Sequence, residues 1–319
     1  MPAYVSHSLF GEWVRAALAE PQLQRLLERN AAAFEWGLQG PDLLFFYGIL
    51  PPRLDHRVNR LGSRMHREAV EPLFHAMLQL LDGACGGQEA VAAYLMGFCC
   101  HYSLDCTAHP YIYWLQEQVA LELPPSDRRG LHNQLESDID SDLYLLRTGA
   151  TIDSFSVSTA LLADTSVLRA IARLYQALSR QVYGAPVTEK QVMRCFGSCY
   201  RVLHLVLNRP GALVAARALD AVGFQHNRLA AHVRLAKARR EVLNREEKEW
   251  RNLQTGELST ASYLVLEDLA RSLAVRLIEA VWLRLCYPGE AARDALPQAF
   301  TGLPGFDFGN PARGREPHA

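Results

Sequence analysis

No run in this chain stays apolar for long enough to span a bilayer, which excludes a membrane-crossing helix. The opening stretch Met1-Pro-Ala-Tyr-Val-Ser-His7 lacks a basic region followed by an apolar core. No secretory signal is read there, and a cytoplasmic chain is expected. An excess of one charge is missing too: 33 Lys and Arg stand against 34 Asp and Glu, for a formal net charge of -1. So even a balance gives no footprint for a phosphate backbone, and no stable nucleic-acid partner is expected. The seven cysteines, at 85, 99, 100, 106, 195, 199 and 286, form no CxxC pair, and their odd number argues against a complete disulfide framework. Cys99, Cys100 and Cys106 flank a histidine cluster. On a helix, however, Cys100 points roughly 100° away from His101, so buried free thiols are expected. Gly-rich phosphate loops, nucleophile elbows and paired-glutamate di-iron patterns are absent, so the chemistries built on them are not read here.

Strand-like alternation is almost lacking as well; Thr151–Ser158 is the one stretch that fits it, and it reads equally as loop. Helical spacing fills the rest. Residues 9–28 place Leu9, Trp13, Ala16, Ala17 and Leu23 on one side, and residues 66–82 place Val70, Leu73, Phe74, Met77, Leu78 and Leu81, closed by Gly83. From Gln88 to Asp105 the chain is apolar almost all round, which predicts a buried central helix. Further helices are predicted over 128–147, 165–183, 189–208, a polar-rich run 217–252, and 259–286. Pro51-Pro52 marks a break. The fold class is all-α, a multi-helix bundle. With neither repeat nor internal boundary in view, residues 1–288 are expected to form a single all-helical metal-binding domain whose core cluster lies in 1–205. Residues 289–319, rich in proline and glycine, are expected to be a loosely held tail.

Within that helical frame, His101-x3-Asp105-x3-His109 and His132-x3-Glu136 repeat a four-residue spacing. Four residues are about one helical turn, so each set aims its donors from one face toward one point. His7, Asp42 and His66 lie upstream, where they can bring further ligands to the same pocket. One HxxxD or HxxxE alone says little, since helices place polar residues four apart constantly. Two sets together, the first on the most apolar helix, are a different matter: an ionised Asp105 there is costly unless paired or bound to metal. Mixed imidazole and carboxylate donors favour zinc, two or three ions for so many ligands. His56, His75, His204, His226 and His232 are isolated and read as structural or surface residues, and Arg239–Arg251 reads as a solvated helix face.

These residues give the chain a likeness. It resembles the zinc-dependent phospholipase C family, an all-helical fold with three clustered zinc ions that single-strand-specific zinc nucleases share in outline. The resemblance covers roughly residues 1–205. It rests on His7 followed by Phe10-Gly11, on Gly40-Pro41-Asp42, on His66, on His101-Tyr-Ser-Leu-Asp105 with Ala108-His109-Pro110, and on His132-x3-Glu136. It implies that Asp42, His66 and His101 hold one zinc ion, that His7 holds its neighbour, and that Asp105 bridges the two. His109, His132 and Glu136 then complete a third site. Secreted members use a processed N-terminal tryptophan as a ligand, and this chain begins Met1-Pro2. The ion at His7 is therefore expected to be looser, differently coordinated or absent.

The expected activity is hydrolysis of phosphate esters, phospholipase C-like: metal-activated water attacks phosphorus in line, with Asp42 orienting or deprotonating it. Asp42 and Asp105 are thus the candidate catalytic residues, and the partner is a small phosphate ester or phospholipid head group, with transient membrane-surface contact. Phe45-Phe46-Tyr47, or Tyr111, Tyr113 and Trp114, can supply an apolar approach, although core packing accounts for such aromatics more simply. Two rivals stand beside this reading. One is a zinc nuclease or phosphomonoesterase; the other is a non-catalytic helical binding protein stabilised by zinc, which would show closed four-ligand coordination at every ion.

Overall fold

The computed structural model describes residues 4–49, 55–82, 88–158, 161, 164–206, 211–222 and 230–286. The breaks expected at Pro51-Pro52 and Gly83, together with Cys85, His226 and the 289–319 tail, lie outside these residues, as does Met1-Pro2. Among the described residues there are eleven α-helices and one small antiparallel hairpin, so the chain is an all-α bundle as its periodicity predicts.

The expected helix over 9–28 is two helices, α1 (Tyr4–Ala17) and α2 (Pro21–Arg29). Pro21 has no N–H and disfavours helical geometry at Glu20, whose carboxylate instead accepts the Gln22 N–H at the new N-terminus. Next come α3 (Ala31–Gln39), a 3-10 turn over Gly40–Phe46, α4 (Arg57–Met65) and α5 (Val70–Asp82). His66 therefore closes α4 rather than opening α5. The central helix α6 (Gln88–Glu122) continues well past Asp105 and contains Pro110. Most of its residues are buried, and that packing carries it through a residue that costs an isolated helix several kcal/mol, about 3 by peptide measurements. Then follow α7 (Leu131–Thr148), α8 (Thr165–Gln181), α9 (Glu189–Val206), α10 (Ala212–Val222) and α11 (Tyr263–Cys286). Thr151–Ser158 forms a 3-10 turn and loop.

The run 217–252 departs from the sequence expectation, because α10 ends at Val222 and residues 233–249 contain no helix. Local side-chain bonds replace the helical ladder there. Glu241 accepts the N–H groups of Leu243, Asn244 and Arg245, and Asn244 takes a left-handed conformation (φ 51°). The Asn244 amide then donates to the Lys248 carbonyl, at 2.9 Å, ahead of the hairpin β1 (Trp250–Arg251) and β2 (Leu258–Ser259). Arg239 is no solvated charge; its guanidinium lies 2.6 Å from buried Asp138 of α7.

Helix α6 packs most extensively on α3 and α11. The α3 contact brings backbone onto backbone. A Cβ on Gly97 would lie 2.9 Å from the Gly37 Cα and collide with the Phe34 carbonyl. Elsewhere, Trp13 of α1 is clasped by two guanidiniums, those of Arg147 of α7 and Arg271 of α11, 4.6 and 4.1 Å from its ring centre. Cys99, Cys100, Cys106, Cys195 and Cys199 are buried free thiols, as expected, whereas Cys286 is exposed. Among the described residues no helix is long and apolar enough to cross a membrane. Gly97→Ala forces α3 and α6 apart, and thermal denaturation is expected to register a loss of roughly 1–3 kcal/mol, the usual range for overpacking.

Candidate metal centre

Because α6 runs on through Pro110, His101, Asp105 and His109 stand in one row, one turn apart, in the buried middle of the bundle. The Asp105 carboxylate divides its oxygens along that row. Oδ2 lies 3.3 Å from His101 Nε2, while Oδ1 lies 3.2 Å from His7 Nε2 and 3.9 Å from His109 Nε2.

Asp42 reaches the row from the 3-10 turn after α3. Gly40 begins that turn at φ 50° and ψ −139°, a region open in practice only to glycine. A side chain there would also meet the His101 ring, 2.7 Å from its Cγ. The turn is tied at both ends. The Tyr175 hydroxyl donates to the Gly40 carbonyl at 2.7 Å, and Tyr94 in turn donates to Tyr175 at 2.6 Å. The Asn59 amide donates to the carbonyls of Leu44, Phe45 and Tyr47. Held so, Asp42 Oδ1 is 3.0 Å from His66 Nε2, and Oδ2 is 3.7 Å from His101 Nε2.

A second row lies on α7, where Glu136 Oε1 is 3.3 Å from His132 Nε2 and 3.5 Å from His109 Nε2 of α6. Two groups of donors result, each compact enough for one ion: His7, Asp42, His101 and Asp105, and separately His109, His132 and Glu136. His66 adjoins the first group through Asp42. All eight residues singled out in the sequence thus come together.

The donor set fits zinc. Donors each about 2.0–2.1 Å from one tetrahedral ion lie roughly 3.3–3.4 Å apart, close to several of these separations and longer than a good hydrogen bond. Three imidazoles have their second nitrogen fixed. His66 Nδ1 donates to the Gly62 carbonyl at 2.7 Å, His101 Nδ1 to the Leu38 carbonyl at 3.1 Å, and His132 Nδ1 faces the Gln116 side-chain oxygen at 3.1 Å. Such bonds fix the Nδ1 side of each ring and turn Nε2 toward the carboxylates, the arrangement metal-binding histidines use. Asp42, Asp105 and Glu136 are all nine-tenths buried or more, and every ion-pair partner found for them among the described residues is a histidine. Three buried carboxylates without Lys or Arg call for cations.

The protonation pattern agrees. Burial pushes His101 down to about 4, so it is neutral. Burial alone would raise Asp105, but the facing His109, His101 and His7 hold it well below the usual carboxylate range. Glu136 is likewise held low, against its burial, by His132 and His109. His7 and His66 go the other way: burial opposes their charge, yet Asp105 and Asp42 respectively outweigh it and raise them above 6.5.

The family model for zinc dependent phospholipase C matches residues 6–184, more than half of the chain. The chain belongs to the zinc-dependent phospholipase C family. No curated protein and no solved structure matches it. Family membership and the two donor clusters make this phospholipase C family member a zinc-dependent hydrolase of phosphodiesters. All eight donors fall inside the matched range.

Of the remaining histidines, His56, His75 and His204 are exposed, and His232 is buried beside α7. Phe46, Tyr47 and Tyr111 are core residues, while Phe45, Tyr113 and Trp114 are half-buried. Trp250 packs edge-on against Tyr111, 5.6 Å between ring centres. Sequence reasoning missed Tyr175, and it missed Asp140, one turn beyond Glu136. The row His132, Glu136, Asp140 repeats the α6 spacing and was the available signal.

Gly40→Ala is expected to displace His101 from Asp42 and lower zinc uptake, read by elemental analysis of the folded variant. A zinc ion held by His7 and His66 would displace protons from them, since their raised values favour the charged form. Apparent affinity should therefore fall as pH drops through their range, starting above 6.5, by up to about tenfold per ligand per pH unit. Asp105 and Glu136 stay ionised there and add nothing to the slope. Competition titrations between about pH 6 and 8 measure it.

Proposed function

We propose that the eight donors hold two or three zinc ions and that the site cleaves a phosphodiester of the phospholipid head-group class. Asp42, His66 and His101 hold one ion, His7 its neighbour, and His109, His132 and Glu136 a third, with Asp105 between them. The observation that carries this reading is the division of Asp105: one oxygen faces His101 and the other faces His7, as a bridging carboxylate requires. The second group offers three protein donors, the number that leaves a position open for water or substrate in catalytic zinc sites. That feature supports catalysis over a purely stabilising role.

When bound, zinc supplies Lewis acidity to the phosphoryl oxygens and brings a water's pKa near neutral. The chain's own groups do the rest. Asp42 Oδ2, farther from its imidazole neighbour than Oδ1, accepts the proton of the attacking water. His101, held neutral with its Nδ1–H on the Leu38 carbonyl, keeps Nε2 as a donor rather than an acid. Phe45 stacks on His66 at 5.4 Å and Tyr113 on His132 at 4.7 Å, so half-buried rings flank both ends of the donor set. They supply the apolar contact a lipid ester needs beside a charged centre.

Asp105→Asn should lose zinc and lower turnover by at least about 100-fold, since changes one layer farther out already cost 10–100-fold. Turnover of a choline phosphodiester, single-stranded DNA and a phosphomonoester is compared in the same preparation. Preference for either of the last two refutes the head-group assignment. Fewer than two zinc ions after reconstitution refutes the multinuclear site.

A further inference from the structure

Helix α1 brings His7 to Asp105 with its first turn. Its backbone donors are taken by a carboxylate on α7. Asp140 Oδ1 accepts the Ser6 N–H at 2.8 Å and the Ser6 hydroxyl at 2.6 Å, and Oδ2 accepts the Val5 N–H at 3.3 Å. Asp140 is wholly buried. Its cation is Arg234, whose Nε and Nη2 both lie 2.9 Å from Oδ2 and whose Nη1 donates to the His232 carbonyl at 2.8 Å. Arg234 is itself 7% exposed and lies beyond residues 6–184, the part of the chain that the family model covers.

We propose that Arg234 is a positioning residue for the His7 donor: by fixing the Asp140 carboxylate it fixes the first turn of α1, and with it the ring of His7 beside Asp105. This rests on the reading that His7 and Asp105 share a zinc ion. A planar guanidinium that meets a carboxylate through two nitrogens sets its orientation as well as its charge. A helix that slips by one residue turns about 100° and moves about 1.5 Å, enough to take His7 Nε2 from its 3.2 Å approach to Asp105. Stability alone is a poor reason for the pair, because a buried ion pair often does no better than apolar residues of its size. The geometry it imposes is the better one. The connection is short: Arg234, Asp140, the amides of Val5 and Ser6, and then His7 itself. Ser137, on the same helix as Asp140, reinforces it by donating to the Ala231 carbonyl at 2.9 Å.

The test uses the full chain and zinc alone. Arg234→Met, His7→Ala and their double variant are reconstituted with zinc, and ions per folded chain are counted beside the far-ultraviolet helix signal. Arg234→Met should keep the helix signal and hold one zinc ion fewer than the wild type. His7→Ala should show the same deficit, and the double variant no more. Arg234→Lys keeps the charge without the fork; it should recover the count and release one ion to a chelator about tenfold faster than the wild type. A folded Arg234→Met with the full zinc count, beside a deficient His7→Ala, overturns the inference and leaves the metal reading standing. If Arg234→Met does not fold, wild-type release from Arg234→Lys overturns it instead. Should His7→Ala keep every ion, the assignment of His7 as a ligand fails first.

Discussion

Three carboxylates, those of Asp42, Asp105 and Glu136, are buried in the middle of a helical bundle with imidazoles as their facing groups. Leaving them there uncompensated would cost far more than a domain's whole stability margin, so much of the surrounding architecture answers to them. Histidines on four elements converge on their oxygens, and most of those histidines are themselves anchored by backbone carbonyls or a side-chain amide. Imidazole alone settles the charge incompletely: His101 is neutral, and its pKa of about 4 comes from the burial that makes it useful as a donor. A multivalent cation is the natural remainder. The geometry that suits such a cation also separates the two oxygens of Asp105 toward different histidines.

Rigid delivery of each donor follows from how its element is packed. Helix α6 supplies a row of three because its apolar surface keeps it helical past Pro110. On α3, Gly37 lets that helix approach α6 backbone to backbone, and Leu38 can then place its carbonyl against His101. The turn that follows carries Asp42 in from the same side, through a glycine that has no room for a side chain and a backbone shape that would strain one. Tyr175 holds the turn from α8, so elements without a single donor still share in placing them.

Much of this was legible from residue spacing. The helical class, the central helix and five of the eight candidate donors follow from apolar periodicity and the four-residue repeats, since both report directly on which face a side chain occupies; His7, Asp42 and His66 have no such spacing and took their roles from the family resemblance. What was not legible has a common cause. The predicted central helix stopped at Asp105, whereas tertiary packing carries α6 through Pro110 to Glu122. The run 217–252 looked helical by composition, but glutamate and asparagine side chains there bond their own backbone, and its arginines turn inward to partners on α7. Local pattern describes a segment's own preference; it does not contain the identity of a carboxylate about a hundred residues away.

The two rows of side chains make that point in one comparison. On α6 the row is His101, Asp105, His109, and on α7 it is His132, Glu136, Asp140, with the same spacing and similar burial toward the core. The first row ends in a donor, whereas the second ends in an acid that meets amides and a guanidinium. The difference lies in what faces each third position. Glu136 faces it at His109, which belongs to the site, while Asp140 faces the start of a helix with amide hydrogens to satisfy. An acid set there suits a helix N-terminus on electrostatic grounds, and the guanidinium of Arg234 neutralises its charge without taking the oxygens away from the amides. A row that begins with candidate donors can therefore end as the anchor that brings the neighbouring candidate in. The metal centre and the attachment of α1 are then consequences of one continuous helical face.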